Sequence, residues 1–107
     1  MTDPRSIALD AASWEDEAPG IRSRAADVGG DRWAIVEYAQ GARREEWCTE
    51  GHRGFVLAGA ISYEFDDGTA AIEAREGQAF LLPDGQGHRG TNLAAGPTRL
   101  FLVDGPI

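Results

Sequence analysis

The chain has a single cysteine, too little base to balance its acid, and no long apolar run, and each shortage removes a class of protein. Cys48 alone cannot close an internal disulfide, which fits a reducing compartment and sets the expectation of a cytoplasmic protein. A formal net charge of −8, from 18 acidic against 10 basic side chains, repels phosphates, so neither nucleic acid nor a membrane surface is expected as a partner. No apolar stretch approaches a membrane span, and Met1-Thr2-Asp3-Pro4-Arg5 lacks the apolar core of a signal peptide. Nowhere does the pattern support a helix of more than two turns.

What is present is turn chemistry. Fourteen glycines and five prolines are spread over 107 residues, enough chain for one domain of short elements joined by turns. Residues 1–20 read as an N-terminal arm: Ser6 to Ala12 fits a strand or a short helical turn, and Trp14 anchors the arm on the body. Pro19-Gly20 turns into a weakly alternating strand from Ile21 to Val28, and Gly29-Gly30-Asp31 reads as a hairpin loop. Arg32 to Ala39 is a strand with Trp33, Ile35 and Glu37 on one face and Ala34, Val36 and Tyr38 on the other. A polar stretch from Gly41 to His52 follows, then an apolar strand from Gly54 to Gly59 and a clean alternation from Ile61 to Phe65. Asp67-Gly68 signals a two-residue hairpin returning as Thr69 to Ala74, and Glu76-Gly77 turns the chain into Ala79 to Leu82. His88 to Asn92 and Arg99 to Val103 are the last strands, and Asp104-Gly105-Pro106 stops the second. Eight to ten short strands make an all-β sandwich or barrel, with Trp33 and Phe101 assigned to its core.

The stretch from Gly77 to Asn92 carries the most information. Gly77, Pro83, Gly85, His88 and Asn92 read as a turn glycine, an apolar strand, a sharp Pro-x-Gly corner and a histidine delivered just beyond it. This spacing resembles the second conserved motif of the cupin superfamily. The resemblance spans roughly residues 36–103 and implies a jelly-roll barrel (a double-stranded β-helix), which we place over residues 21–107, with a metal or substrate site inside. In that family a first motif supplies two histidines separated by one residue, then a glutamate, then, after six further residues, a glycine. Counted back from Gly59, the glutamate position holds His52 and the histidine positions hold Glu46 and Cys48, or Glu45 and Trp47 with a spacer one longer. The run Trp47-Cys48-Thr49-Glu50-Gly51-His52 is similar to a Trp/Cys-containing variant of the first motif in a subgroup of small bacterial cupins.

The resemblance implies His52, His88, Cys48 and Glu46 as metal ligands. Residues 46 and 48 would share a strand face. Each has a plainer role beside it: an interior imidazole for His88, a loop histidine for His52, a small buried hydrophobe for Cys48, a solvated edge for Glu46. A thiolate in the set suits zinc first, with Fe, Ni, Mn or Cu as alternatives, and Glu46 is also a candidate general base. Trp47, Tyr63 and Phe80 are candidate pocket residues, although a small barrel needs such side chains as filling. Arg53 and Arg89, next to the two histidines, are expected to point outward. The expected protein is a metal-centred cupin that binds, and acts on or merely holds, a small organic molecule. The rivals are a metal-free binding or sensing module and a thiol redox role for Cys48. Exposed sheet edges add the expectation of a homodimer formed by strand exchange or sheet extension.

Overall fold

The computed structural model describes residues 3–105, so Met1, Thr2 and the stop at Pro106 lie outside the described residues. One 3-10 turn at Leu9–Ala11 precedes nine strands. These are β1 Glu15–Ala18, β2 Ile21–Val28, β3 Asp31–Tyr38, β4 His52–Ala58 and β5 Ala60–Phe65, then β6 Ile72–Arg75, β7 Ala79–Leu82, β8 His88–Asn92 and β9 Thr98–Asp104. They make an antiparallel six-stranded sheet, β1-β2-β3-β9-β4-β7, facing a three-stranded sheet, β6-β5-β8. Among the described residues no helix is long and apolar enough to cross a membrane.

Period-two alternation sorts the side chains. Ala34, Val36 and Tyr38 of β3 point inward and are buried, as are Leu100 and Leu102 of β9 and Ile61 and Tyr63 of β5. Fully enclosed side chains such as Ile61, Leu82 and Leu100 each contribute about 1.5–3 kcal/mol through the apolar surface they remove from water. Gly54 is small for a packing reason: the ring of Phe80 and a methyl of Leu102 occupy the space a Cβ would need.

The turns are local and follow their residues. Val28 pairs with Asp31 across Gly29 and Gly30, both at positive φ (58° and 89°), the backbone a tight two-residue hairpin demands. Asp67-Gly68 behaves otherwise. Pairing of β5 with β6 starts only at Tyr63 and Ile72, so residues 66–71 form a longer loop and β6 is shorter than its apolar pattern suggests. Asp67 accounts for this: its Oδ1 accepts from the Thr69 N–H at 3.0 Å and its Oδ2 from Gln86 at 2.9 Å, which closes the loop through side chains rather than a ladder.

One further expectation is corrected. Trp33 and Phe101 are not in the core. They meet edge to face, centroids 6.0 Å apart, on the outer face of the large sheet, because their neighbours Ala34, Leu100 and Leu102 take the inward positions. The second half of the arm is itself sheet: β1 pairs with β2 from Glu15↔Ser23 to Ala18↔Ile21. Trp14 sits between the guanidiniums of Arg22 and Arg24, 4.0 and 4.1 Å from its ring centre.

Candidate metal centre

The inner cavity is bordered by the chain after Tyr38, which returns along the free edge of β8. From Arg43 onward that chain runs beside β8: Arg43 bridges to Thr91, and Cys48 and His88 exchange a pair of backbone hydrogen bonds of 2.9 and 2.8 Å. The Pro83-Gly85 corner is tied to the same segment. The Gly85 N–H donates to the Thr49 carbonyl at 2.9 Å, and the Gly51 N–H donates to the Asp84 carboxylate at 2.6 Å. The sharp corner therefore holds His88 directly opposite Cys48. His52 arrives from the other sheet, as the first residue of β4.

These three side chains converge. The Cys48 Sγ lies 3.9 Å from His52 Nε2, the rings of His52 and His88 are 4.9 Å apart, and the ligand-capable atoms of all three residues lie within 4.8 Å of one another. A tetrahedral ion with bonds of about 2.0–2.3 Å spaces its ligand atoms by about 3.3–3.8 Å, so a shift of about an ångström closes the set. His52 is already oriented. Its Nδ1–H donates to Asp104 Oδ1 at 2.5 Å, since an ionised carboxylate only accepts, and this leaves the Nε2 lone pair facing the cluster. Asp104 is buried and receives a second contact from Arg32 at 3.4 Å.

His88 differs. Both of its ring nitrogens are buried, and neither makes a hydrogen bond of good geometry, although the Gln86 backbone stands close to the ring. Burial, and then the neighbouring His52, lower its pKa, which favours the neutral form that a metal requires.

The surrounding cavity encloses about 460 Å³. Glu46 and Trp47 line it, as does Tyr63, which is buried beside His88 with ring centroids 5.9 Å apart. The Glu46 carboxylate is not among the close cluster; Glu46 is exposed on the cavity wall. Phe80 does not reach the cavity. Its ring packs against Tyr63 at 5.1 Å and fills the space over Gly54, where an inward position on β7 puts it. Arg53 is outward, as its alternation requires, near Asp31 at 3.7 Å. Arg89 is not simply outward: it bends over the Trp47 ring at 4.0 Å, bonds to Glu64 and the Glu45 carbonyl, and joins the cavity lining.

Residue patterns alone give no signal for Asp104, Arg32, Arg44, Tyr38 or Glu17, all of which line this cavity. Asp104 becomes visible only through the β4–β9 register, which sets it across from His52.

No protein-family model matches the chain, and no curated protein matches it in sequence. Solved structures do resemble it. A protein of unknown function from Rhizobium leguminosarum bv. viciae 3841 superposes with a TM-score of 0.78 and 20% identity, over 99% of this chain and 100% of that one. The cupin domain of Cnp3 from Schizosaccharomyces pombe gives 0.76 and 13%, over 95% and 74%. Bacillus subtilis oxalate decarboxylase, a structure concerned with its Mn(II) centres, gives 0.73 and 20%, over 92% of this chain and 28% of that one. The architecture is thus a cupin jelly roll. At these identities the likeness is one of fold, and within it Cys48, His52 and His88 form a group able to hold a metal ion.

Proposed function

We propose that this small cupin-fold protein holds one divalent transition metal on Cys48, His52 and His88 and binds a small organic molecule beside it. The observation that carries the reading is the convergence of Cys48, His52 and His88, whose ligand-capable atoms lie within 4.8 Å of one another, with neither His88 nitrogen held in a hydrogen bond of good geometry. An unpartnered buried polar atom costs about 1–3 kcal/mol, and ligation removes that cost for the nitrogen that binds the ion. The donor set of one thiolate and two imidazoles fits zinc best, with Fe, Ni, Mn or Cu as the alternatives, and it leaves a fourth position open to a ligand. An ion bound there would polarise a carbonyl or carboxylate oxygen as a Lewis acid.

The chain's own residues do the remainder. Asp104 fixes the tautomer and the angle of His52. Tyr63 and Trp47 give the bound molecule a flat apolar wall, and Glu46 stands on that wall as a candidate base for a proton facing it. The same reading includes a cytoplasmic homodimer.

Elemental analysis of protein purified without an affinity tag tests it. About one equivalent of transition metal is expected, falling severalfold in Cys48→Ser and His88→Ala while both variants stay folded. Less than about a tenth of an equivalent in the wild type removes the metal and leaves a metal-free binding module as the better description.

A further inference from the structure

The geometry points to a carboxylate as the group this cavity recognises, held by Arg44 and the Tyr38 hydroxyl while the rest of the molecule reaches toward Cys48, His52 and His88. The second half rests on the metal reading above; the first does not.

Arg44 is anchored as a site residue would be. Its backbone N–H donates to the Gly90 carbonyl at 2.9 Å, which fixes its Cα on the segment beside β8, and its half-buried side chain lines the cavity with 31% of its surface exposed. A guanidinium carries five N–H donors. Among the described residues no hydrogen bond of good geometry engages this guanidinium: the Tyr38 hydroxyl stands beside it and the Glu17 carboxylate lies 3.8 Å away, too long for one. Glu17 is engaged elsewhere, accepting from Ser23 Oγ at 2.6 Å and lying 3.3 Å from Arg32 Nη2. Donors of Arg44 therefore remain free on the cavity side. Tyr38 is itself buried, and its hydroxyl lies close above Gly90, where any larger residue would collide with it. A planar fork beside a phenolic hydroxyl matches the two oxygens of a carboxylate.

Charge selects the ligand further. The cavity lining carries Arg32, Arg44 and Arg89 against Glu17, Glu46, Glu50 and Asp104, one negative charge in excess. A divalent ion on one thiolate and two neutral imidazoles would offset that excess, so each negative charge on a ligand is added to an already balanced site. A monoanionic carboxylate therefore meets less repulsion from Glu46 and Glu50 than a phosphate dianion would. Val36 and Leu102 supply apolar surface for the carbon skeleton.

The test uses benzoate, with benzamide as its uncharged counterpart, titrated calorimetrically into metal-free and zinc-loaded protein. In the metal-free wild type benzoate is expected to bind and benzamide to bind at least about tenfold more weakly. Arg44→Gln should weaken benzoate by about tenfold or more, Arg44→Lys by less, and Tyr38→Phe severalfold, with zinc content unchanged in all three. Equal benzoate affinity in wild type and Arg44→Gln, or no benzoate binding to the wild type up to about 10 mM, overturns the assignment. Should Arg44→Gln fail to fold, the Tyr38→Phe and Arg44→Lys titrations decide the matter in its place, and wild-type affinity in both overturns the assignment equally. A wild type that takes up no zinc but still discriminates benzoate through Arg44 defeats the metal reading alone.

Discussion

Asn92 shows how a motif residue can be indispensable without touching the chemistry. Its amide nitrogen lies within hydrogen-bonding distance of the Tyr38, Ala39 and Gly96 carbonyls, at 3.2, 2.9 and 2.9 Å. Its Oδ1 accepts from the Ala94 N–H at 2.8 Å and from the Thr98 hydroxyl at 2.7 Å, and that hydroxyl in turn receives the Ala60 N–H at 3.0 Å. One buried side chain thus stitches the end of β3, the end of β8 and the start of β9. Asn92→Ala strands several buried groups at once, and about 2–4 kcal/mol of stability should go with them. Urea unfolding checks this, through a lower midpoint at an unchanged slope; a loss under about 1 kcal/mol would mean water replaces the amide. The spacing from Gly77 to Asn92 makes this position legible in the sequence, and His88 likewise. The task of each is not legible, because Asn92 acts through carbonyls some 53 and 54 positions earlier in the chain. The same applies to Arg44, which sits in a charged run that reads as solvated edge until the run is seen to fold across the cavity.

At the scale of elements, hairpins are readable and crossings are not. The Gly29-Gly30 and Pro19-Gly20 turns join strands that are neighbours in sequence, so residue type alone predicts the pairing. The insertion of β9 between β3 and β4 depends on which of several apolar strands packs best at the centre, a sum over the whole core that no local pattern contains. That insertion creates the Asp104–His52 contact across 52 residues, and local pattern misplaces Trp33 and Phe101 for the same reason: face assignment needs the partner strand. The consequence for the site is specific. Asp104→Asn keeps the shape and an acceptor for the His52 Nδ1–H but removes the charge that makes the imidazole a better ligand. Metal affinity should fall about 10- to 100-fold, read by competition with a chromophoric chelator, with the circular dichroism spectrum unchanged. An affinity within about twofold of wild type would show that Asp104 serves Arg32 and the fold rather than the centre.

On the outer face of its large sheet the molecule carries an apolar patch set between charged margins. Trp33, Ile35, Phe101, Val103, Phe55 and Leu81 share that outer face through the β3–β9–β4–β7 register, with Phe55 39% and Leu81 57% exposed. Charges at its margins are already paired within the chain, Arg99 and Arg22 with Glu37 and Arg53 with Asp31, so little desolvated charge opposes a flat apolar contact. The edge of the sheet offers a poorer route. β1 carries Glu15, Asp16 and Glu17, and two copies extended through it would set these acids against each other, on a chain already at −8. We therefore expect a second copy to pack face to face, where edge strands alone suggest strand exchange or sheet extension. Sedimentation velocity at about 50 μM should give twice the mass of the 11.5 kDa chain, and Leu81→Glu or Phe55→Glu should return the monomer with its spectrum intact. A monomeric wild type at that concentration rules the pairing out. A dimer that survives both substitutions would place the contact at the short β7 edge instead, where backbone groups rather than side chains make the join.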